Sequence, residues 1–259
     1  MSPALEDIVT SCKQLSTVFY FAWSETKARY KRSVLGPLWL TLGTAIGVAG
    51  LGVVWSILLK TDMKTFVPPL TVGLIIWQFM SGCITESPIL FVRQSGVIRN
   101  LRLPYFFHPL QLLMRHLITL LHNAIVILVV FLVFPPQLSP TMLMAIPGLA
   151  LLILNMLWVI LLIGMLGARF RDIEPLVQAF MPMVFFVTPV LYRPENLGMR
   201  QYIMWLNPLA HLIGIVRDPL MGVMPSLLNY GVSAVLALLG WSLTFYLFQS
   251  RRNRIPYWV

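Results

Sequence analysis

The sequence predicts an all-α integral membrane protein. It reads as an N-terminal interfacial amphipathic helix, six transmembrane helices, and a re-entrant helical hairpin before the last span. Three observations predict this. The 259 residues are 58% hydrophobic and only 11% charged, whereas a soluble domain carries about 25% charged residues. Several apolar runs reach the roughly 20 residues a helix needs to cross a bilayer. The basic residues gather in short segments beside those runs, which is how Lys and Arg are retained on the cytoplasmic side. That pattern accounts for the net charge of +10 better than a nucleic-acid surface does.

Residues 1–34 form the expected interfacial segment. Leu15, Val18, Phe19, Ala22, Trp23 and Tyr30 follow helical i, i+3, i+4, i+7 spacing. Lys27, Arg29, Lys31 and Arg32 supply the basic face. Aromatic residues opposite cations suit a helix lying in the headgroup plane; the plainer alternative is a lead-in to the first span. The first 33 residues have no continuous apolar core followed by a cleavage site. The N-terminus is therefore expected to stay cytoplasmic and uncleaved.

The spans are expected at 35–59, 67–92, 106–134, 141–168, 175–191 and 227–248. Gly36-Pro37 opens the first, where a missing N–H costs nothing, and Pro68-Pro69 opens the second. Lys60, Asp62 and Lys64 make an outer loop; Arg93, Arg99 and Arg102 mark an inner one. Pro135, Pro136 and Pro140 form an uncharged outer turn, and Arg169, Arg171, Asp172 and Glu174 an inner mixed-charge turn. Residues 192–226 are irregular. Two short segments there, 199–206 and 210–216, cannot span and suit a hairpin dipping in from outside. Such backbone is tolerated at membrane depth only inside protein or along a cavity. Thirteen basic residues fall on inner segments and five on outer ones, which places both termini in the cytoplasm.

Two ionisable residues fall inside spans at matching depth. Glu86 lies near the inner end of the second span, and Arg115 in the cytoplasmic third of the third. An intramembrane charge is costly and calls for a partner. The two either pair or separately reach headgroups and water. His108, His116 and His122 lack metal-ligand spacing, and Cys12 and Cys83 are not placed to bridge. Gly43 and Gly47, four apart, permit a close helix contact within one chain or between two. Trp39 and Trp55 fit an interfacial belt. Trp77 and Trp158 fall mid-span, as core packing or as flat rings lining a channel along which sugar faces slide. No G-x-x-x-x-G-K-[ST] occurs, so no P-loop binds ATP here. The nine carboxylates are too scattered for a general acid/base pair.

Three stretches carry a resemblance: RYKRSVLGPLW at 29–39, ARFRDIEPLVQ at 168–178, and NPLAHLIGIVRDPLMG at 207–222. In this order they resemble the transmembrane subunit of bacterial polysaccharide ABC exporters, which move O-antigen, capsule or teichoic-acid chains. The resemblance implies a multi-pass inner-membrane homodimer enclosing a channel for a lipid-diphosphate-linked glycan. It implies two copies of a separate ABC ATPase that hold ATP and Mg, leaving this chain without a cofactor. By position, Lys27 and Arg29, with Arg93, Arg99 and Arg102, resemble the ATPase-coupling elements. Tyr192 and Trp205 fall in the external gate region. Arg29, Lys31 and Arg32 could attract the diphosphate headgroup or merely enforce topology. A membrane glycosyl- or acyltransferase would need a carboxylate or His cluster. An ion-driven transporter would show inverted repeats and more buried charges. An exporter of a drug or lipid would differ in channel width and aromatic lining.

Overall fold

The computed structural model describes residues 2–29, 31, 33, 36, 38–191 and 206–259. Arg32, Tyr192 and Trp205 lie outside the described residues, as does the first half of the expected hairpin. Every regular element among the described residues is helical. In order they are α1 (Pro3–Lys13), α2 (Leu15–Arg29), α3 (Leu38–Leu59), α4 (Met63–Glu86), α5 (Leu90–Arg93), α6 (Ser95–Asn100) and α7 (Phe107–Val133). After a 3-10 turn at Pro140–Met144 come α8 (Ala145–Arg169), α9 (Ile173–Val187), α10 (Pro208–Leu220), α11 (Leu227–Arg251) and α12 (Ile255–Trp258).

Among the described residues five helical stretches are long and apolar enough to cross a membrane: Leu38–Leu59, Met63–Glu86, Phe107–Val133, Pro140–Arg169 and Leu227–Trp258. The expected span at 175–191 is the 15-residue α9, about 22 Å long at ~1.5 Å per residue. Alone it falls short of a hydrocarbon core about 30 Å thick.

The second span is shifted from its expected place. Asp62 caps α4, accepting from the Lys64 N–H at 3.0 Å, so the helix starts at Met63 and Pro68 and Pro69 lie inside it. It ends at Glu86 rather than at 92. Pro88 is the reason: Ser87 keeps helical backbone, but Pro88 has no N–H to continue the ladder.

The interfacial segment is two helices, broken at Gln14. The expected apolar row divides between two surroundings. Val18, Ala22 and Thr26 are buried, and α2 packs along α7, whereas Leu15, Phe19 and Trp23 are exposed. Small side chains let the helices approach closely, and the Thr26 hydroxyl is satisfied by the Ala22 carbonyl. Phe19 and Trp23 stack on each other instead, centroids 6.4 Å apart.

The molecule is built around α4. Its apolar window is 78% buried, against 22% for α3 and for α7. The helices α3, α7, α8, α9 and α10 all touch it. The large exposed residues of the outer helices, such as Ile46, Leu121, Leu132 and Leu238, are what lipid would cover. The 13-residue α10 is too short to span, and its residues 211–217 are buried. It is enclosed by α4, α8 and α11, which shelters its backbone.

Glycines permit these approaches. A Cβ on Gly148 of α8 would overlap the Ile215 carbonyl oxygen of α10, whereas one on Gly231 of α11 would meet nothing within 4 Å. Gly148→Ala should therefore cost about 1–3 kcal/mol through overpacking. Thermal unfolding in detergent reads this as a lower Tm, with Gly231→Ala as the unshifted control.

Candidate functional site: an ionic junction and an aromatic groove

Three helices meet at the end of α4 through charge. Arg115 of α7 is buried, its side chain 6% exposed. Its Nη1 donates to Glu25 Oε1 of α2 at 2.5 Å, and its Nη2 pairs with Glu86 Oε2 of α4. Gln111, one turn earlier on α7, donates to Glu25 Oε2 at 3.1 Å. Arg93 of α5 reaches the same Glu86 oxygen as Arg115, at 3.4 Å. His116 Nε2 stands 3.6 Å from Glu86 Oε1. Gly82, four residues before Glu86, makes room for that ring: a Cβ there would lie 2.6 Å from His116 Cε1.

A second polar layer ties the same bundle farther along. Gln78 Oε1 accepts from Thr44 Oγ1 of α3 and Asn123 Nδ2 of α7, each at 3.1 Å. Thr41 Oγ1 donates to the His122 carbonyl at 3.3 Å. Hydrogen bonds of this kind between spans average about 0.6 kcal/mol, so they set register more than they supply stability.

The face of α4 carrying Trp77, Ser81 and Thr85, at i, i+4 and i+8, looks onto α9. Together with Leu74 and with Gln178, Met181, Pro182, Phe185 and Phe186 of α9, it lines a cavity of about 410 Å³. Trp77 and Phe185 are 5.4 Å apart between centroids. The groove is graded along its length. Gln178 Nε2 lies 3.5 Å from the Thr85 carbonyl near the junction, and the aromatic rings sit farther along.

The structure thus brings Glu86 and Arg115 into contact and sets Trp77 in a groove. Trp158 lies elsewhere: its ring fills the notch over Gly240 of α11, and its N–H donates to Asn155 Oδ1 at 3.1 Å. Lys27, Arg29, Lys31, Arg93, Arg99 and Arg102 are exposed. His108 packs edge-on against Phe91 and Phe107, and His122 stacks on Trp23. Among the described residues no group of three His, Cys, Asp or Glu could hold a metal ion. Gly43 and Gly47 have no neighbour within 4 Å where a Cβ would point, so they make no close contact within the described chain. Sequence reasoning missed Glu25. Its signal was a lone carboxylate among Lys27, Arg29 and Lys31, beside a span carrying an arginine.

The family pattern of the ABC-2 type transporters matches residues 16–221, from α2 through α10, with both the junction and the groove inside it. The chain belongs to the ABC-2 type transporter membrane family. As an ABC-2 permease it is a multi-pass membrane protein and a transport subunit rather than an enzyme. Two permeases of Klebsiella pneumoniae, each called O-antigen export system permease protein RfbA, are 26% and 27% identical to it over 222 residues, 85% of each chain. The RfbA permease of Myxococcus xanthus is 23% identical over 193 residues, 73% of this chain and 74% of its own.

Removing Arg115 from this permease would leave two carboxylates facing each other with one exposed cation nearby. Arg115→Ala should cost roughly 3 kcal/mol, because breaking a buried pair strands its partners. The double variant Arg115→Ala/Glu25→Gln should recover part of that loss. A double-mutant cycle on unfolding in detergent measures the coupling.

Proposed function

We propose that this chain is the permease subunit of an ATP-driven exporter that moves a lipid-linked, O-antigen-like polysaccharide across the bacterial inner membrane. The observation that carries the reading is its similarity, over most of its length, to proteins named O-antigen export system permeases. In this reading two copies enclose the channel. Two copies of a cytoplasmic ABC ATPase hold ATP and Mg, and this chain holds no cofactor.

The geometry suits that division of labour. A chain without a nucleotide motif must receive work mechanically. Displacing α2 displaces Glu25, and the guanidinium of Arg115 passes that displacement to α4 and α7. Lys27, Arg29, Arg93 and Arg102 stand at the cytoplasmic end of this linkage, where a soluble subunit would bear on it. Arg29, Lys31 and Arg32 are the cations offered to a diphosphate headgroup. Trp77, Phe185 and Phe186 present flat apolar faces with few hydrogen-bonding groups, which hold a sugar chain loosely enough to slide.

Six spans and cytoplasmic ends also follow in this reading, with α9 as the fifth. Beyond the roughly 22 Å of α9, residues 188–191 are buried in a turn, with the Val190 N–H donating to the Thr188 carbonyl at 2.7 Å, so the backbone past the helix end is sheltered by protein. A second copy is supported by the open face of α3, where Gly43, Gly47 and Gly50 meet nothing within 4 Å, since small residues allow span helices to approach.

Co-purification from native membranes should yield an ABC ATPase and a lipid-linked glycan; a lipid or drug in place of the glycan would redirect the substrate assignment. Trp77→Ala/Phe185→Ala should lower surface glycan about tenfold while the complex still hydrolyses ATP. In a Cys12→Ser background, Gly43→Cys should give an oxidised dimer band on a non-reducing gel, and a monomer band only would remove the α3 contact.

A further inference from the structure

The end of the chain gathers elements that are remote in sequence. After α11 a 3-10 turn, Arg252–Arg254, leads into α12. Arg252 Nη1 donates to the Pro3 carbonyl at 2.7 Å and to Asp7 Oδ2 at 3.2 Å, and Gln249 Oε1 accepts from the Ala4 N–H at 3.0 Å. Asp7 also accepts from the N–H groups of Phe106 and Tyr105, at 2.9 and 3.2 Å. Burial pushes its carboxyl above the usual range, against the opposing pull of those N–H groups and Arg252. Ile255 is wholly buried. The last two carbonyls are then taken by two arginines: Arg171 Nη2 donates to Trp258 at 3.2 Å, and Arg99 Nη2 donates to Val259.

Those two arginines sit on elements with little else to hold them. The six residues of α6 bury none of their number, and residues 169–172, between α8 and α9, are all exposed. A short helix whose partly buried Ile98 alone rests against the core has little packing to fix its position. Its place must come from its ends and from whatever its side chains grip. Arg99 is exposed and is engaged by Val259, as Arg93 is by Glu86.

We propose that residues 255–259 form a strap that braces α6 against the α8–α9 turn. Arg99 and Arg171 are its positioning residues, holding the cytoplasmic face in the register needed to pass movement from the ATPase to the spans. The bracing stands on the contacts above; only its role in coupling rests on the proposed export function. Ile255 anchors the strap, Arg252 and Gln249 tie its root to α1, and the two carbonyls hold the loops. Tyr257, 87% exposed, takes no part.

The test uses the full chain with its ATPase in lipid nanodiscs and follows amide hydrogen exchange by mass spectrometry. In Arg99→Ala/Arg171→Ala, and in a chain ending at Arg254, exchange over residues 95–103 should rise at least tenfold while residues 63–86 stay as in the parent. Arg99→Lys should recover part of the protection, since an ammonium can still reach one carbonyl, and Tyr257→Ala should change nothing. Glycan exported per ATP hydrolysed should fall severalfold in the double variant with hydrolysis retained. Unchanged exchange over 95–103 overturns the strap, and so does a rise that extends equally to 63–86. Raised exchange with an unchanged export ratio overturns the coupling role. If the parent complex exports no glycan, the export reading fails, and the exchange result alone still decides the strap.

Discussion

A guanidinium keeps its charge under all physiological conditions, so a helix that carries one out of water must bring counter-charge to it. Arg115 imposes that constraint here. Glu86 answers from the end of α4 and Glu25 from the N-terminal helix α2. Once Glu25 is bound, α2 cannot lie freely among the headgroups. It must run along α7, and the side chains between the two helices must be small, which is what Val18, Ala22 and Thr26 provide. Gln111 then takes the second oxygen of Glu25, and Gly82 clears the space for His116. One charge thus specifies the neighbours of three helices.

Two differently bonded groups of helices follow. The first, α2, α3, α4 and α7, is joined by ions and by the shared Gln78 oxygen. The second, α8, α10 and α11, is joined by close backbone approach at Gly148 and by the seat of Trp158 over Gly240. Backbone groups at these contacts are satisfied across helices: Asn155 Nδ2 donates to the Ser233 carbonyl, and Trp241 Nε1 to that of Leu154. By contrast α9 buries no residue of its own and touches chiefly α4 and α8. Among the described helices of fifteen or more residues it is the one that buries none, and it forms one wall of the aromatic groove. A groove with one loosely held wall can widen without breaking the ionic junction, which suits the export proposed above.

Much of the architecture was legible in the residues. Long apolar runs marked the five long helices, and the matched depths of Glu86 and Arg115 made them candidates to pair. The 210–216 segment looked too short to span, and α10 is short. Boundaries were less legible. Pro68 and Pro69 looked like a helix start because Pro suits a first turn, but the Asp62 cap lies earlier and the helix runs through both. Likewise the apolar stripe of Leu15, Val18, Phe19, Ala22 and Trp23 did not show which members meet protein: Val18 and Ala22 are buried, and Leu15, Phe19 and Trp23 are exposed.

Sequence by itself determined that this chain lives in a bilayer, which stretches are greasy and long enough to cross, and that no nucleotide motif is present. Those properties are local: composition and run length act on each segment wherever its neighbours lie. Only tertiary structure decided that Glu25 would share Arg115 with Glu86, that Trp77 would face a groove and Trp158 a glycine notch, and that Arg99 would grip the tail of its own chain. Lipid tails are as apolar as leucine, so a span's hydrophobic pattern does not say which side meets protein. Those choices are made by contacts between residues tens of positions apart, through charge pairing and close backbone approach.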